Sequence, residues 1–258
     1  MLIKKQTIAF SIMVFIYALA AGIFVLLPGS MDISSLPADA QTSVPDIPLW
    51  MLALANAGLV LLAYSLMGLL GMFLAKKASL PQIFRPGAGA QALWVTPALV
   101  GVVCGIILVA GDLVFQKLTV LEPLPHPPFP ASLLASLSAG IGEEIAFRLL
   151  VMSLWVFLLG WLVRRILPNR DLFLPVVWAA NLIAALVFGA GHLGSVMVIY
   201  GAASPAELPG ALLVEIFLLN GIIGLAAGES FRRNGLLAAA GVHFWADIVW
   251  HVIYGLLV

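Results

Sequence analysis

Seven stretches of some twenty or more mainly apolar residues, at about 7–27, 49–75, 93–115, 131–163, 172–192, 209–230 and 236–258, account for most of this chain. A helix needs about 20 such residues to cross a hydrocarbon layer of about 30 Å. The pattern therefore predicts an all-α, polytopic membrane bundle of about seven transmembrane helices. Composition leaves little alternative, because 63% of the 258 residues are hydrophobic and 9% charged. A soluble domain is roughly 45–50% apolar and about 25% charged, and a core of this size could not hide the surplus. The formal net charge of zero argues against a nucleic-acid partner, which calls for a basic face. Cys104, the only cysteine, lies in an apolar run and reads as packing.

The first stretch resembles a signal peptide, with Lys4 and Lys5 before it and "ALAAG" within it. From Ile8 to Pro28, however, it exceeds the roughly 7–15 apolar residues of a signal core, and a retained anchor is expected. Charge predicts the direction of insertion. With the N-terminus cytoplasmic, Lys4, Lys5, Lys76, Lys77, Arg85, Arg164, Arg165, Arg170, Arg232 and Arg233 share one side, leaving Lys117 outside and Arg148 within the membrane. Asp32, Asp39, Asp46 and Glu122 fall in the two opposite loops. The fourth stretch is long for a straight crossing, so it is expected to tilt, to kink near Ser153 or to run on along the cytoplasmic surface. Residues 1–130 read as three N-terminal spans and 131–258 as a four-span catalytic core of one integral membrane domain.

Ionisable residues inside a span are a functional-site hypothesis by default. In "IGEEIAFRLL", Glu144 and Arg148 are four apart and can pair on one helix face. Glu143 points about 100° away and has no partner on its own helix. A carboxyl group in that position suits a general base or acid; a purely structural polar clamp of all three residues is the alternative. Phe188 and His192 are four apart in "LVFGAGHLGS", as are His243 and Asp247 in "GVHFWADIVWH". Polar groups in lipid turn inward and find one another, so the three sets should converge. His251 extends the last stripe by a turn and reads as outer-leaflet or interfacial, with membership of the site as the lesser alternative.

"EEIAFR", "FGAGH" and "HFWAD" resemble, in order and spacing, the three motifs of the CPBP family. That family comprises the type II CAAX-prenyl endopeptidases and the related bacterial Abi proteins. The resemblance runs from about Ala131 to Val258 and implies an intramembrane endopeptidase in a helical fold. It implies a membrane-associated peptide or protein substrate and a cell membrane location, the bacterial members pointing to a prokaryotic inner membrane. Carried over by position, it makes Glu143 the residue that activates water, with help from His192. His243 and Asp247 would stabilise the oxyanion, and Glu144 and Arg148 would hold the site together. Peptide hydrolysis needs a base for water and donors aimed at the developing charge. No Gly-x-Ser-x-Gly or His-Glu-x-x-His motif offers another chemistry.

Asp247 stands where the family often has Asn. It could carry a proton and donate, orient a protonated His243 as the Asp of a serine-protease triad does, or help bind a metal. No cofactor is expected, but zinc is an open alternative, with Glu143, His192, His243 and Asp247 as plausible ligands. A non-catalytic immunity or transport protein is the competing class, although the paired repeats common in transporters are not evident. Helix rise poses a difficulty: His243 stands about 12 Å above Gly235, but His192 about 26 Å from Pro175. Smaller signals are Glu215 and Asn220 as interhelical or substrate contacts, and Asp112 and Glu229 as interfacial charges. Gly101 and Gly105 have the spacing of a close helix contact. Trp50, Trp94, Trp161 and Trp250 suit interfacial belts, and Trp245 would line the cavity.

Overall fold

The computed structural model describes residues 2–28, 47–119 and 124–258. Asp32, Asp39, Asp46 and Glu122 lie outside them. The described residues are all-helical, and seven helices are long and apolar enough to cross a membrane. They are α1 (Leu2–Leu26), α2 (Leu49–Lys77), α3 (Gln91–Phe115), α4 (Ala131–Ile166), α5 (Phe173–Tyr200), α6 (Gly210–Asn234) and α7 (Leu236–Leu256). Their outer surface is greasy, with Phe15, Leu62, Leu66, Leu99 and Ile106 all more than half exposed. A water-facing protein rarely shows so much apolar area. Within a bilayer it is the expected surface, and the helices satisfy their own backbone groups.

One buried cluster joins both halves of the chain: Phe10 and Val14 of α1, Met72 and Ala75 of α2, Ile145, Leu149 and Met152 of α4, Val177 and Ala184 of α5, and Phe231, Leu236 and Val242 further on. The halves are also clasped at one end by the loop after α2. Gln6 Nε2 donates to the Phe84 carbonyl at 2.8 Å, and the Ile83 amide donates to Gln6 Oε1 at 3.0 Å. The Leu236 and Leu237 amides donate to the carbonyls of Gln82 and Ile83, both at 2.9 Å. The turn between α6 and α7 depends on Gly235, whose φ is 95°. A Cβ there would lie 2.8 Å from the Ile83 backbone, so only glycine serves both conformation and contact. The cation-bearing α1 start, the α2–α3 loop and the α6–α7 turn thus meet at one end of the bundle.

The expected GxxxG contact is internal. Cβ atoms at Gly101 and Gly105 would come within 2.3 Å and 2.7 Å of the Val242 and Ala246 carbonyls, so α3 packs directly on α7. Helix α4 departs from α geometry at Ile145–Met152, a π-helical stretch ending where the sequence suggested a kink at Ser153. Such wide turns often accompany functional sites. Helix α5 does not stop at His192. It breaks there, between Phe173–Gly191 and Leu193–Tyr200, and ends at Gly201 with φ 66°. Its 28 residues span about 42 Å, some 12 Å more than the hydrocarbon core. His192 and His243 nonetheless line one cavity, so the helix-rise difficulty does not keep them apart.

Candidate active site

The long α4 delivers Glu143, Glu144 and Arg148 to the bundle interior, where α7 supplies the facing side chains. Glu144 and Arg148 are wholly buried, and Arg148 Nη1 lies 3.0 Å from Glu144 Oε1. The same oxygen accepts a hydrogen bond from His243 Nδ1 at 2.8 Å. His243 is 2% exposed, so this bond fixes its ring in a dry setting. Its other nitrogen, Nε2, lies 3.7 Å from both Glu143 Oε2 and Asp247 Oδ2. One imidazole therefore stands between a sealed carboxylate and two facing the cavity. Glu143, with about a third of its side chain accessible, is the open member of the pair.

Phe188 is the mechanical centre of the cluster. The Arg148 guanidinium lies over its ring at 4.7 Å, taking a cation–π contact in place of further hydrogen bonds. The rings of His192 and His243 stand edge-on to it at 4.8 Å and 5.5 Å. His192 occupies the break in α5, its Nδ1 2.9 Å from the Phe188 carbonyl. With Nδ1–H donating there, Nε2 is an acceptor.

A cavity of about 220 Å³ joins these groups, with Glu143, His192, His243 and Asp247 all in its wall. It is large and polar enough for several waters. The same wall holds His126 and His251, so all four histidines of the chain meet in one cavity. A second cavity, about 270 Å³, shares Glu143 and His192 on the side facing α2.

Several outer contacts differ from the sequence reading. His251 lies in the cavity wall, its Nδ1 3.3 Å from Nδ1 of His126, a loop residue the sequence reading missed. Burial holds His126 below the usual imidazole range, outweighing the opposite pull of Asp112. The one available signal for His126 was that the chain has so few histidines. Asp112 is buried, 3% exposed, close to Glu215, itself 7% exposed and in the cavity wall. Trp250 belongs to the cavity wall, whereas Trp245 is 40% exposed and lies against Gly101. Spacing explains the exchange, since Trp250 follows His243 by seven residues and shares its face, while Trp245 follows by two and faces away. Asn220 lines the cavity and bonds its own helix at the Ile216 carbonyl, 2.8 Å away. Glu229 pairs with Arg232 and Arg233 at the cation-rich end.

Among the described residues, no group of three or more His, Cys, Asp or Glu side chains is disposed to hold a metal ion. His243 and His192 each hold Nδ1 on another partner, the Glu144 carboxylate and the Phe188 carbonyl.

No curated protein and no solved structure matches the chain. The sequence model of the Type II CAAX prenyl endopeptidase Rce1-like family matches residues 125–249, an interval that contains every one of the converging side chains Glu143, Glu144, Arg148, Phe188, His192, His243 and Asp247. Over that interval, just under half of the chain, the sequence is similar to the type II CAAX prenyl endopeptidases, which are peptide hydrolases.

Proposed function

We propose that the chain cleaves a peptide bond of a membrane-associated peptide or protein by a water molecule activated at Glu143. The observation that carries this reading is the double engagement of His243, which is bound to Glu144 through Nδ1 at 2.8 Å and faces Glu143 and Asp247 through Nε2 at 3.7 Å.

In this mechanism Glu143 takes a proton from water as its oxygen attacks the scissile carbonyl carbon, with the free His192 nitrogen holding the water. The carbonyl π pair moves to oxygen. His243, doubly protonated and tied to Glu144, donates from Nε2 to that oxyanion. Asp247 balances the His243 charge from the cavity side, while Glu144 takes the orienting place that a serine-protease triad gives to its Asp. Collapse of the tetrahedral intermediate breaks the C–N bond, and the proton on Glu143 passes to the leaving amine. Arg148 offsets the second buried carboxylate and braces Phe188 between the two imidazoles.

The test replaces Glu143 by Gln, which keeps shape but removes the base. Peptides released from membranes bearing either protein are compared, with and without a chelator. Loss of cleavage by about 10²- to 10⁴-fold, at unchanged melting temperature and insensitive to chelator, is the expected result. Full cleavage by Glu143→Gln would overturn the assignment. Chelator sensitivity of the wild type would overturn its metal-free form. The charge asymmetry further supports a cytoplasmic N-terminus and cation-rich end, in the cell membrane of a prokaryote as the bacterial branch of the family suggests. Reporters fused at either terminus check the orientation.

A further inference from the structure

The second cavity at Glu143 takes part of its wall from outside residues 125–249. Tyr64, on α2, faces it together with Phe147, Gly191, Ser195, Glu143 and His192. Tyr64 is paired with Tyr17 of α1, the two rings edge to face at 4.7 Å and 82°. The fit is close: a Cβ at Gly142, the residue before Glu143, would lie 2.5 Å from Tyr17 Cε1 and 2.8 Å from its hydroxyl. The first two helices thus hold a pair of phenols against the segment that carries the base.

Tyr64 brings a phenolic O–H, a donor, to the cavity wall beside Glu143 and His192. The Ser195 hydroxyl is already committed, donating to the His192 carbonyl at 2.9 Å. A peptide carbonyl passing over Glu143 is an acceptor of the right kind, and the Phe147 ring and Gly191 give an apolar, narrow bed for an extended backbone.

We propose that this cavity is the subsite for the stretch of substrate adjoining the scissile bond, an extended peptide with apolar side chains, and that Tyr64 is its positioning residue. Tyr17, edge to face with it, holds the Tyr64 ring in place. The proposal rests on the hydrolytic reading of Glu143, and it makes the N-terminal helices part of the enzyme's specificity as well as of its anchorage.

The test uses the full chain in phosphatidylcholine vesicles and an internally quenched, farnesylated peptide with a CAAX end. Tyr64→Phe keeps the ring and its packing and removes only the hydroxyl. It should raise KM about five-fold, the worth of one neutral hydrogen bond, with kcat within about two-fold. Tyr17→Phe should raise KM less, about two-fold, because the Tyr64 donor survives. A purely structural pair would lower the melting temperature and leave KM alone, and that result overturns the proposal. So does a fall in kcat at constant KM, which would assign the hydroxyl to Glu143. Cleavage surviving in Glu143→Gln sinks the hydrolytic reading and this proposal together; an inactive Glu143→Gln with an unchanged KM in Tyr64→Phe sinks this proposal alone.

Discussion

The two ends of the central cavity bury acids in different ways. Around Glu143 the carboxylates face opposite charge or a group that can acquire it: Arg148 lies 3.0 Å from Glu144, and His243 lies within 3.7 Å of Glu143, Glu144 and Asp247. At the other end, among the described residues, no Lys or Arg forms an ion pair with Asp112 or Glu215. The two acids lie close together, and Gln116 donates to Asp112 at 2.5 Å with the Tyr254 hydroxyl at 3.5 Å. The adjoining imidazoles of His126 and His251 bond one another. One end sets its acids against cationic partners, the other sets acid beside acid with amide and hydroxyl donors. A charge that persists in a dry site is available for chemistry, while a network of neutral donors shapes and wets the cavity without reacting. The family motifs all lie at the first end.

Three substitutions can break that comparison. Arg148→Met should have the largest effect, because it leaves Glu144 buried against a single imidazole. Breaking a buried pair costs about 3–5 kcal/mol, to be read as a lower thermal midpoint in detergent and reduced abundance in membranes. Glu215→Gln should cost under about 1 kcal/mol, since an amide can still donate to Asp112, and cleavage should stay within a few-fold of wild type. A loss as severe as that of Arg148→Met would erase the contrast between the two ends. His126→Phe should be milder still in activity. It removes one hydrogen bond, worth about 0.5–1.5 kcal/mol, and keeps a ring where His126 now stands edge-on to Trp250 at 4.8 Å. A large fall in kcat there would join the outer histidines to the reaction.

Much of this was legible in the sequence because lipid leaves few options. Apolar runs of sufficient length become helices, and an acid, guanidinium or imidazole inside one must face its own kind. Hence Glu143, Glu144, Arg148, His192, His243 and Asp247 converge across three helices, as their rarity suggested. Other features escaped for equally physical reasons. His126 sits in a proline-rich loop, where no helical period points it anywhere. Tyr17 and Tyr64 read as two more aromatic core residues until packing brings them to Gly142. Asp112 stands near a helix end, where a charge normally reaches the interface; only the position of α6 buries it against Glu215. The π stretch of α4 is a slip in hydrogen bonding that hydropathy does not record.

That slip has a consequence for how the family domain can vary. Across Ile145–Met152, eight residues hold i→i+5 bonds, so the helix stores surplus length in its middle. Dropping one residue there would leave an unbroken rod. It would also swivel everything before the cut by about 100° relative to everything after it, parting the acids from the α7 imidazole or from the arginine. Loops at either end can grow or shrink freely; in this stretch residue count sets the azimuth of the reactive groups, and a deletion would silence the enzyme while leaving it in the membrane.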